Sequence, residues 1–368
     1  MVNSYIVYIL TIILSTIFAG LAQKYFRYNK NGKKTPHKLF WFMSMGILVF
    51  TMGFRDLSIG VDGRSYLNIY NNINSLGILE YYQHYIHEPG YVIFNKVIYL
   101  IFNDFQWIII LSSFFIIYGF YKAIEYEIEN ISLPLAVFIF ATTQYYYYFG
   151  IIRLGMAVSI VVMAYRYIIE NKKKKYILAV FLAAMFHYSA LFALGLIFLT
   201  QSKKGIFHKI NIIIISIIVP VAFSFVNFFI YPLIEVSKYQ KYVQSSPEIS
   251  FGFLPWFPFL ILFLLHYNNF VRISKHYQFY FYLYVMRIVT EAFSPFIGTA
   301  RMFWYVNLSI CILLPATIRI YKNKYIKLFL LLITISFSIV YLYHAYLSLN
   351  SGRGHTMFPY LNILLFNS

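Results

Sequence analysis

The chain has 368 residues, of which 61% are hydrophobic and 11% are charged, and its formal net charge is +18. A soluble domain keeps roughly a quarter of its residues charged, so this composition excludes an ordinary soluble protein and indicates a membrane protein. The basic residues lie in short connectors such as 172–175, which is typical of cytoplasmic loops and argues against nucleic-acid binding. Cys311 is the single cysteine, so no intramolecular disulfide can form.

Long apolar runs recur along the chain, and each is long enough to cross a bilayer as a helix. Backbone amides inside lipid must be satisfied within their own segment, so these runs predict helices. We expect an all-α integral membrane protein with 10–12 transmembrane helices, and we treat residues 1–368 as one polytopic domain whose first run is a retained anchor. The predicted membrane segments are 4–22, 39–54, 105–122, 133–149, 152–170, 211–231, 253–270, 277–296, 302–320 and 328–348.

The positions of Lys and Arg predict the orientation. The loop 24–38 carries six of them, which places it in the cytoplasm and the N-terminus outside. The same orientation puts 21 of the 30 basic residues inside, at 24–38, 166–175, 203–209, 271–275, 319–327 and Lys122. It leaves the loops 55–104 and 232–252 and the tail 349–368 on the outer side, with 88–103 as a partly inserted outer helix.

Segment 176–200 does not fit a topology in which successive connectors alternate between the two sides of the membrane, because basic clusters flank both of its ends. A single crossing would invert every basic loop that follows. We therefore predict a re-entrant hairpin or two half-helices with His187 near the tip, since broken helices are tolerated where they are buried in protein or line a wet cavity. The alternative is one straight helix with an extra crossing elsewhere.

The polar residues left in this topology gather on the outer side. Guanidinium groups stay charged and bind phosphate oxygens in pairs of hydrogen bonds, so several arginines beside an apolar membrane predict a phosphate-bearing ligand. An arginine at a helix end can instead reach the lipid head groups or pair with a carboxylate. The outer-side candidates are Arg55, Asp62, Glu88, Arg153, Arg301 and Arg353.

Three further residues carry open alternatives. Arg287 and Glu291 are four residues apart in an apolar segment, so they either neutralise each other on one helix face or contact substrate. His187 is either a hydrogen-bonded packing residue or a group that holds a proton or binds phosphate. The carboxylates are scattered and no glycine-rich nucleotide loop is visible, so we expect no metal and no cofactor.

The ordered motifs resemble the EpsG/Wzy family of bacterial polysaccharide (O-antigen) polymerases. The elements that carry the resemblance are Arg55 with "GVDGRSY", "EPGYVIFN", Arg153 in "GIIRLGMAVSI", "FHYSAL" around His187, "ARMFWY" around Arg301, and a closing "FPY". Together they cover most of the chain from about residue 50 onward.

The resemblance implies a metal-independent glycosyltransferase with a bundle similar to the GT-C superfamily. Such proteins transfer a growing glycan from undecaprenyl pyrophosphate to the non-reducing end of a lipid-linked repeat unit, on the periplasmic side of the inner membrane. It also implies membrane lipids and a chain-length regulator as partners. We assign Arg153 and Arg301 to pyrophosphate, with Arg55 in support. Asp62, Glu88 and His187 are candidates for the group that takes the proton from the acceptor hydroxyl.

Two other functions remain open at this stage. A flippase for lipid-linked oligosaccharides, or another secondary transporter, would also have many helices and intramembrane charges, but would spread its polar groups through the bilayer midplane. An O-antigen ligase would join the same donor to a lipid A core.

Overall fold

A computed structural model describes residues 2–60, 62–199, 250–294, 301–350, 357 and 360–364. The α-helices of these residues are α1 Val2–Lys24, α2 Lys38–Gly53, α3 Gly63–Leu76, α4 Ile78–His84, α5 Pro89–Phe102, α6 Gln106–Tyr126, α7 Leu133–Thr143, α8 Ile152–Ile169, α9 Lys173–Ala184, α10 Phe257–Ile273, α11 Lys275–Ala292, α12 Ser309–Ile320 and α13 Lys324–Asn350. Four 3-10 segments join them, Tyr145–Phe149, Tyr188–Leu199, Phe251–Trp256 and Met302–Tyr305.

Two short strands form the described sheet structure. They are β1 Arg27–Tyr28 and β2 Lys34–Thr35, paired antiparallel with Arg27 opposite Thr35. Several predicted features lie outside the described residues, namely segment 211–231, connector 203–209, Arg353, and most of the loop 232–252 and of the tail 349–368.

The helices confirm an all-α integral membrane protein that crosses the membrane several times. Within the described ranges, five are long and apolar enough to cross a bilayer, at Ser4–Lys24, Gln106–Tyr126, Ile152–Ile169, Phe251–Arg272 and Lys324–Leu347. Shorter apolar helices accompany them, among them α2, α5, α7 and α12. At 1.5 Å per residue, α5 is about 21 Å long, which is less than the hydrocarbon thickness, and its partial insertion stays a prediction.

The central pair α6 and α8 packs through small residues. A Cβ added to Gly119 would lie 2.7 Å from the Cβ of Ser159, and one added to Gly155 would lie 2.7 Å from Ile116 Cδ1. Lipid supplies no hydrophobic force between helices, so close backbone approach at small residues supplies the packing energy. This contact fixes α8, whose first turn carries Arg153.

Two predicted segments change conformation before they end. Segment 133–149 is α7 followed by the 3-10 segment Tyr145–Phe149, and segment 302–320 is the 3-10 segment Met302–Tyr305 followed by α12. The two breaks are joined, because Gln144 Nε2 donates to the Asn307 carbonyl oxygen over 3.1 Å. Helix ends leave backbone N–H and carbonyl groups without partners. Two helix ends can be buried together when polar groups at one end form hydrogen bonds with those at the other.

Residues 173–199 form a hairpin rather than one straight helix. Helix α9 ends at Ala184, and the 3-10 segment Tyr188–Leu199 returns beside it, so that the Tyr176 hydroxyl donates to the Ala193 carbonyl oxygen over 2.9 Å. Residues 17 positions apart on one straight helix would lie about 25 Å apart. The predicted turn at His187 is therefore present in the fold.

The bundle has two chemically different ends. At the first, which we call the basic end, the connectors 24–38 and 126–133 and the end of α12 meet, since Arg319 donates to the Glu129 carbonyl oxygen and Gln23 to that of Ile131. The other end, which we call the site end, is linked by contacts of Arg55 with Phe149, Glu88 with Arg153, Gly90 with Met185, and His187 with Arg301. The predicted outer-side residues that the structure describes lie at the site end.

Candidate active site

Arg153 and Glu88 form an ion pair at the site end. Arg153 Nη1 lies 2.7 Å from Glu88 Oε2, and the two side chains are 23% and 8% exposed. The guanidinium also lies over the rings of Tyr66 and Tyr91, with its Cζ at 6.0 and 5.7 Å from their centroids. Charged hydrogen bonds in such a poorly solvated setting are strong, so Arg153 is held rigidly with its charge directed at this end of the bundle.

Glu88 is placed by the helix that it precedes. It occupies the N-cap of α5 in extended conformation, with Pro89 in the first helical turn, and its side chain makes no capping bond. Proline suits this position because its missing N–H would have no partner there. The carboxylate of Glu88 is therefore directed away from the helix end and towards Arg153.

The same helix start is docked on the hairpin tip. The backbone N–H groups of Gly90 and Tyr91 donate to the Met185 carbonyl oxygen over 2.8 and 3.3 Å. A Cβ on Gly90 would lie 2.8 Å from both the Cβ and the carbonyl oxygen of Met185, so the contact requires glycine. Donors in the first turn of α5 thus meet an acceptor at the end of α9, and the start of α5 is fixed against the hairpin tip.

His187 is bound at both ring nitrogens. Its Nε2 lies 3.2 Å from Arg301 Nη1, while its Nδ1 lies 2.7 Å from Ser189 Oγ. Ser189 Oγ in turn lies 2.9 Å from the Tyr305 hydroxyl. The imidazole is buried, with 8% of the residue exposed.

The protonation state of His187 follows from its surroundings. It lies in the turn between α9 and the 3-10 segment, outside the membrane-spanning helices, and burial followed by the charges of Arg301 and Arg153 lowers its pKa to about 3. The ring is thus neutral at physiological pH, which is the form that accepts a proton. The charges of both arginines act on this one ring, so the two pairs lie near each other at the site end.

Arg55 is linked to this site through hydrogen bonds to backbone carbonyl oxygens. Its Nε donates to the Ile59 carbonyl oxygen over 3.2 Å, Nη2 to that of Phe149 over 2.7 Å, and Nη1 to that of Met52. Arg55 is 2% exposed and its backbone bridges Asn362. Of these contacts, the one with Phe149 holds the turn that precedes Arg153, and the predicted contact of Arg55 with pyrophosphate stays a prediction.

Asp62 lies at the rim of the same region. It is half-buried at the N-cap of α3, close enough that, after burial itself, its charge helps to raise the pKa of Tyr66 to about 12. Gly60, with φ +107°, lets the preceding backbone pass the Phe149 carbonyl, since a Cβ would come within 2.4 Å of that oxygen. The glycines around Asp62 therefore serve close packing, and its catalytic role stays a prediction.

Arg287 and Glu291 form a pair of their own. Arg287 Nη1 lies 3.1 Å from Glu291 Oε2, its Nε donates to Asn307 Oδ1 over 2.6 Å, and its guanidinium stacks 3.8 Å from the Trp256 ring centroid. Arg287 is fully buried. The predicted mutual neutralisation of the pair is present, while its contact with substrate stays a prediction.

Sequence reasoning missed the hydroxyl partners of the site. Ser189 and Tyr305 are each within the motifs that drew attention to His187 and Arg301, "FHYSAL" and "ARMFWY". The chain has 37 tyrosines, so the identity of Tyr305 alone carries no signal. Among the residues that the structure describes, no three His, Cys, Asp or Glu side chains are grouped to hold a metal ion.

Comparison with known proteins gives one match. The model of the EpsG family matches residues 38–362, which is most of the chain and includes every site residue above. No curated protein and no solved structure matches the chain.

Proposed function

Because this chain belongs to the EpsG family, a membrane family of polysaccharide-polymerase type, we propose that it polymerises lipid-linked oligosaccharides. In this proposal a growing glycan is transferred from undecaprenyl pyrophosphate to the non-reducing end of a second lipid-linked repeat unit. The reaction is a glycosyl transfer that uses the donor's own pyrophosphate as leaving group and needs no metal ion.

One observation carries this proposal. Two of the candidate phosphate-binding arginines are each paired with a side chain that can act as a base, Arg153 with Glu88 and Arg301 with His187. A diphosphate is a stronger partner for guanidinium than a neutral imidazole. Donor binding therefore draws Arg301 from His187 and leaves Nε2 with an available lone pair, so the base becomes active when the leaving group is in place.

The chemical step can be written with these groups. The acceptor hydroxyl oxygen forms a bond to the anomeric carbon, and the bond from that carbon to the pyrophosphate oxygen breaks. His187 Nε2 takes the hydroxyl proton as general base, and the lipid pyrophosphate leaves with the bonding electron pair. Arg153 and Arg301 stabilise the charge that develops on it, while Arg55 supports the turn before Arg153. Glu88 holds Arg153 in place until the donor binds.

The charge distribution supports a periplasmic site. The basic end carries the clusters 24–38 and 172–175, and such clusters remain in the cytoplasm of bacterial inner-membrane proteins. The site end then faces the periplasm, where a lipid-linked acceptor and donor can both approach from the outer leaflet. A protein that regulates chain length is the expected partner on that side.

Reconstitution tests the proposal. Purified protein in liposomes with undecaprenyl-pyrophosphate-linked repeat units, without nucleotide sugar and with EDTA, should produce a ladder of longer glycans. Arg301→Lys should lower the rate by at least about tenfold if two-pronged binding of phosphate matters. Arg64→Lys is the matched control, because Arg64 is an exposed arginine at the same end and should retain activity.

Three results would contradict it. Movement of the lipid across the bilayer without glycan growth would identify a flippase. Transfer to a lipid A core without polymerisation would identify a ligase. Equal activity of Arg301→Lys and the parent would remove Arg301 from the pyrophosphate site.

A further inference from the structure

A cavity of about 290 Å³ lies at the basic end, between α1, α7, α12 and α13. Two cationic side chains line it, Arg319 in the last turn of α12 and Lys327, the fourth residue of α13. Gln23 from the last turn of α1 and Ser132, which precedes α7, line it as well. All four residues stand at helix ends on one side of the bundle, so the cavity lies at one membrane surface.

The cavity becomes apolar one helical turn farther into the membrane. Pro315 precedes Arg319 by four residues on α12, and Leu331 follows Lys327 by four residues on α13, and both line the cavity. Four residues of helix span about 6 Å. Leu135, in the first turn of α7, adds to the apolar part. Cations at the surface above an apolar layer reproduce the order of a phospholipid, whose phosphate lies outside its acyl chains.

The two cations of the cavity are available to an anion. In the described part of the chain, neither Arg319 nor Lys327 forms an ion pair with a carboxylate. Arg319 Nη1 donates to the Glu129 carbonyl oxygen over 2.6 Å, which uses one of its five donors. The carboxylate of Glu129 accepts from the Lys34 backbone N–H of β2 over 3.4 Å. Ser132 makes no side-chain capping bond.

From this arrangement we propose that the cavity binds the head group of an anionic glycerophospholipid from the leaflet at the basic end. Arg319 and Lys327 contact the phosphate, and one acyl chain passes Pro315 and Leu331 into the bilayer. Basic pockets between transmembrane helices are a recognised setting for anionic head groups. A volume of about 290 Å³ is close to the lower limit of about 300 Å³ for small-molecule sites, so it suits a head group rather than a whole lipid. The proposal is independent of the reaction proposed above.

The position of the cavity gives such a lipid a structural task. Helix α13 is the least buried of the five long apolar helices that the structure describes. Its middle is held by Phe337 and Tyr341, whose rings pack at 4.9 and 4.8 Å from that of Trp256. Phe337 is ten residues beyond Lys327, about 15 Å along the helix. A phospholipid in the cavity therefore adds contacts at the other end of α13, where it joins α7 and α12.

Native mass spectrometry of the full-length protein in detergent tests the proposal, with phosphatidylglycerol and phosphatidylcholine of identical acyl chains as the probes. The parent should bind phosphatidylglycerol more tightly by at least about fivefold, since each Lys or Arg near an anionic lipid strengthens binding by about that factor. Arg319→Gln with Lys327→Gln should weaken phosphatidylglycerol binding by about 25-fold and change phosphatidylcholine binding by less than about twofold.

The matched control removes two charges from the same region outside the cavity. Lys322 and Lys324 are exposed in the connector and at the start of α13. The double variant Lys322→Gln with Lys324→Gln should weaken phosphatidylglycerol binding by no more than about twofold. Equal losses in the two double variants would overturn the proposal, because the basic surface as a whole would then attract the lipid.

A cavity-filling variant tests the site without changing its charge. Leu331→Trp should weaken phosphatidylglycerol binding by at least about tenfold and remove the rise that this lipid produces in the midpoint of thermal unfolding, because a ligand of the folded state stabilises it. Leu328→Trp is the control, since Leu328 is 53% exposed on the same helix, and it should bind as the parent does.

Three further results would overturn the proposal. They are equal affinities of the parent for the two phospholipids, unchanged lipid binding in Leu331→Trp, and displacement of phosphatidylglycerol by equimolar undecaprenyl pyrophosphate. The last would assign the cavity to the lipid-linked substrate instead of a membrane phospholipid. None of these measurements depends on turnover, so a failure of the proposed polymerisation leaves them unaffected.

Discussion

The Glu88–Arg153 pair should couple strongly in a double-mutant cycle. Removal of one partner from a buried pair costs about 3–5 kcal/mol because the other charge is left uncompensated. Arg153 is 23% exposed and Glu88 is 8% exposed, so water reaches the remaining charge in part. We therefore expect Glu88→Ala and Arg153→Ala each to lower the free energy of unfolding by about 2–3 kcal/mol, and the double variant to lose less than the sum by about 1–2 kcal/mol.

The assay is equilibrium unfolding of the parent and the three variants in the same mixed micelles. Lys122 and Glu125 supply the control, because their 3.0 Å pair has side chains that are 41% and 21% exposed. Lys122→Ala should cost no more than about 0.5 kcal/mol. If the losses from Glu88→Ala and Arg153→Ala add within about 0.5 kcal/mol, the two side chains do not interact in the protein, and the reasoning that pairs each arginine with a base is refuted.

Two further predictions concern the hairpin tip. Gly90→Ala should lower the free energy of unfolding by about 1–3 kcal/mol, because the new Cβ lies 2.8 Å from Met185 atoms; Gly46→Ala, whose Cβ meets nothing within 4 Å, should be neutral or stabilising, and equal losses would contradict the docking. The folded pKa of His187 is about 3, below its unfolded value of about 6.5, so the unfolded state binds the additional proton. The contribution of His187 to the free energy of unfolding is fully present above about pH 6.5 and should fall by about 2 kcal/mol on going to pH 5. The measurement is the free energy of unfolding as a function of pH, in the parent and in His187→Gln. Identical slopes in the two proteins would contradict the prediction.

Charge counting and apolar run length were enough to predict the helical bundle, and they favoured a hairpin or two half-helices at 176–200 over one straight helix. The hairpin was predicted because a single crossing of that segment would have put basic connectors on both sides of the membrane, whereas such connectors normally remain in the cytoplasm. Such reasoning works because lipid imposes the same cost on every misplaced charge. The split of 133–149 and of 302–320 into α and 3-10 parts was not predicted, since the Gln144–Asn307 contact that joins the breaks spans 163 positions of sequence.

The roles of individual arginines could not be predicted in the same way. Arg55 and Arg153 both stand near the ends of apolar segments and look alike in sequence. The structure separates them by their acceptors, which are backbone carbonyls for Arg55 and a carboxylate for Arg153. Every residue has a backbone carbonyl oxygen, so the sequence does not identify which one accepts a hydrogen bond. A carboxylate belongs only to Asp or Glu and can be identified in the sequence as a candidate partner. Tyr305 was missed for a different reason, because it is one of 37 tyrosines in the chain.

The position of the site at broken helix ends has a physical reason. A continuous membrane helix satisfies its own backbone and has no donors or acceptors left to orient polar side chains. At the site end, the unpaired N–H groups of α5 meet the Met185 carbonyl, and Arg55 takes the carbonyl of Phe149, so the breaks satisfy one another. The side chains of Glu88 and Arg153 then pair with each other, and the imidazole of His187 contacts Arg301. A charged substrate that replaces those pairs finds a site whose scaffold is already complete.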